Sequence, residues 1–344
     1  MDSITQIVLG ATCGEAVLGK KIGNKALLFG AIGGTIPDLD VFVGSLLYDN
    51  QIQAMAFHRG FMHSAVFAIL GAFGIGWLVF KLYDKGKRKS STNLNDWRKL
   101  FFWSLLTHPL LDCFTPYGTQ LFYPFSDHRV ALNNIAVADP LYTLPFLICI
   151  IVLMFYRRQS RRRQLWLRIG IFVSSTYMLL TLGNKIYVDK VFNDSLAKQG
   201  IKAKRFRTQP TILNNILWYG VAETEDNYYL GFYSLFDSEA TVNDWKIISK
   251  SPTIIDVQNE DLKTLAWFSD DYFKVFKTAQ KGVYKYNDLR YALLNPNDAQ
   301  SSLFSFRIYN NNGRWDMQNS RPDFDENQSF EDVFGPMINR LKGK

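Results

Sequence analysis

The stretch Leu100-Phe101-Phe102-Trp103-Ser104-Leu105-Leu106-Thr107-His108-Pro109-Leu110-Leu111-Asp112 decides how this chain is read. It lies in an apolar run reaching Phe114 and predicts a membrane helix. On a helix His108 and Asp112, four residues apart, share one face. Ionisable groups at membrane depth are costly and concentrate at functional sites. Imidazole and carboxylate are also the donors that zinc and harder divalent metals take. An interhelical hydrogen bond is the competing reading of the pair.

Working outward, five further apolar segments can be drawn, giving roughly 4–19, 26–48, 62–80, 100–121, 139–156 and 166–188. A spanning helix needs about 20 residues. The first segment is short and carries Glu15, and the second is interrupted by Pro37-Asp38-Leu39-Asp40. Charge sorts the connections. Residues 1–188 hold 19 Lys and Arg against 10 Asp and Glu, whereas the rest holds 20 against 21. The first, third and fifth loops carry 16 basic residues; the second and fourth carry two, Arg59 and Arg129. By the positive-inside rule the basic loops face the cytoplasm, and the region after 188 faces outward. A basic excess confined to short loops argues against nucleic acid as a partner. Cys13, Cys113 and Cys149 all lie in apolar segments and read as small buried hydrophobes.

The expected fold is a mainly α-helical integral membrane domain of five to six apolar segments, residues 1–188. A small extracytoplasmic α+β domain, residues 189–344, follows it. In that second part Ile212–Thr224 and Tyr228–Phe236 read as strands joined by a turn at Glu225-Asp226-Asn227. Asp261–Gln280 reads as an amphipathic helix. Gly282–Leu293 and Leu303–Trp315 read as strands, and Phe330–Leu341 as a helix.

The chain's four histidines, His58, His63, His108 and His128, all fall in the first 128 residues. Counting at about 1.5 Å per residue puts Asp38 and Asp112 at a similar height, roughly 20 Å above the inner edge of the bilayer core. His58, His63 and Asp139 lie at the outer end. In an extended Pro37-Asp38-Leu39-Asp40 both carboxylates would point the same way, toward one ion; the alternative is a pair that caps the next helix. These residues predict a divalent metal, most simply zinc, held by His63, His108 and Asp112, with Asp38 and Asp40 completing the set or holding a second ion. Asp139 or His58 is placed to act as general base, although Asp before Pro also opens helices. Arg129 is either an outlier of topology or a clamp on an anionic substrate. No His-Glu-x-x-His pattern occurs, which removes the usual metalloprotease helix.

The segments Met1-Asp2-Ser3-Ile4-Thr5-Gln6, Pro37-Asp38-Leu39-Asp40, His58-Arg59-Gly60 with His63-Ser64, and Thr107–Asp112 with Thr115-Pro116-Tyr117-Gly118 together resemble the YdjM-type family. The resemblance covers about residues 1–190. It implies an inner-membrane-associated, metal-dependent hydrolase, and through a second family label, LexA-binding, a LexA-type regulator as partner. Many relatives carry His where this chain has Gln6. Position by position it supports Asp38, Asp40, His58, His63, His108 and Asp112. Two functions follow as expectations. One is a membrane-embedded hydrolase of an ester or phosphoester, lipid-linked ones included, working at the outer leaflet of the bacterial inner membrane. The other is a non-catalytic membrane protein with a structural or transported metal ion and a partner-binding outer domain.

Overall fold

A computed structural model describes residues 1–251, 259–294, 298–319 and 330–343. The chain forms two compact units. One comprises Met1–Val43 and Phe57–Leu182, the other Gly44–Ala56 and Gly183–Lys344.

The first unit is helical. Its elements are α1 (Ser3–Ile22), α2 (Asn24–Thr35), α5 (Ala65–Tyr83), α6 (Leu94–Asp112), α7 (Pro140–Met154) and the first part of α8 (Arg161–Lys198). The short helices α3 (Asp40–Leu47) and α4 (Gln51–Phe57) lie where the chain leaves and re-enters it. Helix starts follow their local chemistry. Asp2 caps α1 through Thr5 N, Ser64 caps α5 through Phe67 N, and Asn93 and Asp96 form a reciprocal capping box on α6. Helices α1 and α2 pack through glycines. A Cβ on Gly14 would lie 2.0 Å from Ala26 O, and one on Gly30 would lie 2.2 Å from Gly10 O. The pairs Gly10/Gly14 and Gly30/Gly34 thus form two small-xxx-small faces that let the backbones touch. Trp97, Leu100, Phe101 and Leu105 of α6 bury against Leu18, Ile22 and Ala26. Glu15 of α1 is fully buried and takes a two-pronged ion pair from Arg163 of α8, at 2.7 and 2.6 Å.

Among the described residues two helices, Ala65–Tyr83 and Arg161–Lys198, are long and apolar enough to cross a membrane. A third span results if the pair Asn24–Thr35 and Pro37–Leu47, bent by 41°, counts as one. This corrects the expectation of five to six spans. Helix α1 contains Glu15, Lys20 and Lys21; α6 carries Asp96, Arg98 and Lys99 in its first turns and stops at Asp112; α7 has 15 residues.

The second unit is built from two four-stranded antiparallel sheets in sequential order. The first holds β1 (Arg205–Pro210), β2 (Leu217–Glu223), β3 (Asn227–Ser234) and β4 (Lys246–Ser249). The second holds β5 (Phe273–Lys277), β6 (Val283–Asp288), β7 (Ser305–Asn311) and β8 (Arg314–Asn319). Helices α9 (Glu260–Phe268) and α10 (Phe330–Leu341) belong to it, together with the last part of α8 from Gly183. Gly220 stands opposite Gly231 in the β2–β3 register, and a Cβ on Gly220 would lie 2.2 Å from the Phe192 ring. The expected helix over Asp261–Gln280 stops at Phe268, because Asp270 and Asp271 adopt positive φ of 52° and 57° and the chain turns into β5.

The excursion Gly44–Ala56 belongs to this second unit. Ile52 is fully buried with Leu265, Tyr286 and Ile308. Asn50 donates to Trp315 O at 2.6 Å, and Asp316 accepts from Gln51 N at 2.8 Å. The sequence gives little warning of this, because Asn50 to Ala56 shows no strong period.

Candidate metal centre

Helix α2 ends at Thr35, and Pro37 opens a 3-10 turn, Pro37–Leu39. Proline has no N–H to continue the helix and suits the first position of the next turn. This turn corrects the expected extended segment. At three residues per turn, Asp38 and Asp40 point about 120° apart rather than together. They straddle one imidazole. Asp38 Oδ1 lies 3.4 Å from His63 Nε2, and Asp40 Oδ2 lies 2.9 Å from His63 Nδ1 in an off-axis approach.

His63 ends a second 3-10 turn, Phe61–His63, and His108 lies in the last turns of α6. Their Nε2 atoms are 3.1 Å apart. His108 Nδ1 lies 2.6 Å from Gly34 O, the carbonyl that the glycine packing of α1 and α2 sets in place. A carbonyl only accepts, so Nδ1 of His108 carries a proton and Nε2 is the nitrogen left to face an ion. The carboxylate beside His63 Nδ1 makes the same choice for that ring. Asp38 Oδ1 is also 3.4 Å from His108 Nε2, and Asp112 Oδ2 is 3.5 Å from both Nε2 atoms.

Two imidazole Nε2 atoms and two carboxylate oxygens thus converge. Asp38, His63 and His108 each offer a ligand atom within 4.8 Å of the others. Bonds of about 2.0–2.1 Å to one tetrahedral ion separate ligand atoms by about 3.3–3.4 Å, close to the 3.1–3.4 Å spacings among Asp38, His63 and His108. Asp112 Oδ2 is buried and accepts no hydrogen bond, an orphan that a cation would satisfy. The donor set fits a divalent metal.

Around these four groups the partners are fixed. Asp112 Oδ1 accepts from Gln6 Nε2 at 3.0 Å and from the Met1 amine. Arg59 Nε lies 3.4 Å from Asp112 Oδ2. Asp40 Oδ1 bonds His58 Nδ1 at 2.7 Å, and its Oδ2 accepts from Arg59 N at 2.9 Å. The His58 ring stands edge-on to Tyr117, and Arg129 donates to His58 O at 2.9 Å. His63, His108 and Asp112 are at most 1 % exposed, whereas the Asp38 side chain is 32 % exposed, so the centre opens on the Asp38 side.

The sequence-predicted residues therefore separate. Asp38, His63, His108 and Asp112 converge; Asp40 holds the far nitrogen of His63 and the ring of His58; Arg129 flanks His58. Asp139 is bonded elsewhere. Its Oδ1 caps α7 through Leu141 N and Tyr142 N, and its Oδ2 accepts from Tyr177 Oη at 2.9 Å. Sequence reasoning assigned no role to Arg59 and left Gln6 open, yet both contact Asp112. A signal for Arg59 existed: Arg59 and Arg129 are the two cations in otherwise charge-poor loops, and both stack on Tyr117, at 4.6 and 5.4 Å.

Comparison with known proteins agrees with the motifs. Over 162 residues the chain is 30% identical to the uncharacterized protein YfhP of Bacillus subtilis (strain 168). That match takes in 44% of this chain and 46% of the relative, so the chain spans about half the length of the curated relative it matches. No solved structure matches. The family described as YdjM inner membrane protein matches residues 1–186, which include every residue of the centre. More than half of the chain is thereby covered, and the protein belongs to the family of YdjM inner membrane proteins.

Proposed function

We propose that this protein is a membrane-embedded, metal-dependent hydrolase of an ester or phosphoester, with lipid-linked molecules as its natural substrates. The observation that carries the reading is the convergence of His63 Nε2, His108 Nε2, Asp38 Oδ1 and the orphaned Asp112 Oδ2. A divalent ion held by these four, most simply zinc, supplies Lewis acidity toward a carbonyl or phosphoryl oxygen. The protein's own groups do the rest. Asp40 fixes the His58 ring through Nδ1, which leaves His58 Nε2 as an acceptor placed to take a proton from water and return it to the leaving oxygen. The oxygen of water bonds to the acyl carbon or phosphorus, the ester C–O or P–O bond breaks, and the proton ends on the leaving alcohol. Asp40 and the Gly34 carbonyl orient the two imidazoles. Asp139 is a helix cap in this scheme.

The charge asymmetry of the loops supports an outward-facing centre and a second unit outside the cytoplasm. Deep burial of three ligands supports the second reading, an occluded structural or transported ion. The 32 % exposure of Asp38 favours catalysis, which needs an open side. The test is metal analysis of detergent-purified protein together with a panel of carboxylic and phosphoric ester substrates. The wild type should hold metal and turn over one class, and His108→Ala should lose both. Full metal with no turnover on either class leaves the non-catalytic reading.

A further inference from the structure

We infer that Arg59 and Arg129, both packed on the Tyr117 ring, bind a phosphate group next to the metal centre, so that the substrate is a phosphoester and not a carboxylic ester. The inference rests on the hydrolase reading for its metal and on separate observations for its anion. Arg59 is 5 % exposed and its guanidinium lies 4.6 Å from the Tyr117 ring centre. Among the described residues its one side-chain hydrogen bond runs from Nη1 to Thr115 Oγ1 at 3.1 Å. Its Nε is buried without a hydrogen-bond partner, 3.4 Å from Asp112 Oδ2. A guanidinium has five N–H donors and cannot shed its charge, so a buried one with a single bond is under-used. The residue is also held at φ 60°, with its N–H on Asp40 Oδ2 and its carbonyl on Gln120 N at 3.0 Å. The backbone is thus fixed at both ends in a conformation that non-glycine residues rarely adopt.

Charge points the same way. Asp38, Asp40 and Asp112 set three negative charges against Arg59, Arg129 and a dication, which leaves one positive charge in excess before the Met1 amine is counted. A neutral carboxylic ester leaves that excess uncompensated. Phosphate offers several oxygens, so one can face the ion while others face the guanidiniums. Arginine forks suit that geometry, and such contacts strengthen as charge develops on the transferred group.

The test uses full-length protein in detergent, with metal content measured on every sample. Orthophosphate binding is titrated calorimetrically, with acetate as the contrasting anion, for wild type, Arg59→Gln and Arg129→Gln. Arg59→Gln should weaken phosphate binding about 10–100-fold, the usual size of a lost charge-assisted bond, with metal content unchanged and acetate little affected. Equal phosphate affinity in wild type and Arg59→Gln would overturn the inference. If Arg59→Gln does not fold, Arg59→Lys decides. It keeps the charge and loses the fork, so phosphate should bind several-fold more weakly, and no change again overturns the inference. Loss of phosphate binding in a protein that holds no metal would sink the hydrolase reading and keep the anion site. Metal present with Arg59 irrelevant to phosphate would do the reverse. Displacement of phosphate by dioctanoyl phosphatidic acid at lower concentration than by glycerol 3-phosphate assigns a lipid phosphate; the opposite order assigns a soluble one.

Discussion

Asp40 and Asp112 are both buried carboxylates, yet the structure gives them opposite tasks. Asp112 leaves an oxygen open toward the imidazoles, whereas both oxygens of Asp40 are taken by His58, Arg59 N and His63. Asp112→Ala should therefore remove most of the bound metal, measured by mass spectrometry of the purified protein. Asp40→Asn should retain metal but lower its affinity about 10–100-fold, the usual cost of losing an orienting partner. Equal occupancy in the two variants would put both carboxylates in one class. Asp139→Asn is expected to be close to neutral for metal content and turnover, because Asn caps a helix about as well as Asp. A large loss of turnover with metal retained would return Asp139 to the role of general base. His108, Asp112 and the Asp38/Asp40 pair were legible because ionisable residues in apolar runs are conspicuous. The division of labour was not, because it depends on a 3-10 turn that puts the two carboxylates on opposite nitrogens of His63.

The α1–α2 hairpin sets the Gly34 carbonyl against His108, so a change in helix packing reaches the centre without touching a ligand. Gly14→Ala and Gly30→Ala each place a methyl against backbone at 2.0 and 2.2 Å. Each should destabilise the protein by about 1–3 kcal/mol and reduce metal content, read from thermal unfolding in detergent and metal analysis. Unaltered unfolding in both would mean that the helices do not pack this closely. The glycines stood in plain view in the sequence, but their partner did not. The same holds for Glu15, which reads as a reason to doubt the first segment until Arg163, 148 residues away, supplies the matching charge. Helices α5 and α8 announced themselves by length and apolarity. The strands β2 and β3 did so by their aromatic and β-branched residues, and the turn between them fell near Glu225–Asn227 as read. Helix α9 was read too long, because the positive φ values of Asp270 and Asp271 leave no mark in a hydrophobic pattern.

Across the whole molecule, topology and pH are the accessible tests. A reporter active only in the cytoplasm, fused after Lys344, should be silent if the second unit faces outward; activity would invert the arrangement. Acid should weaken the sheets of that unit through Glu223. Burial pushes its carboxyl up, but hydrogen bonds from Lys250 at 2.6 Å and Arg205 at 2.5 Å outweigh this and hold it below the usual carboxylate range. A carboxyl lowered in the folded state adds stability above its unfolded value, and that stability is lost as pH falls through the folded one. The thermal midpoint of the full chain should fall below about pH 4, and Glu223→Gln should flatten that decline. A variant with an unaltered acid limb would show that the cluster contributes nothing. The two-part organisation was visible as a change of composition near residue 188. The membership of Gly44–Ala56 in the second unit was not, since it is set by partners far along the chain.

That excursion carries a consequence for the order of events at the ribosome. Asn50 waits for Trp315, 265 residues later. At about 5–20 residues per second the partner strand is made roughly 13–50 s after the segment that docks against it. Ile52 likewise waits more than 200 residues for its eventual neighbours Leu262, Leu265 and Ile308. The stretch between Asp40 and His58 is thus the last part of the N-terminal half able to settle. Chains stalled or cut before β8 should accumulate with that stretch open to added protease, while finished chains resist cleavage there.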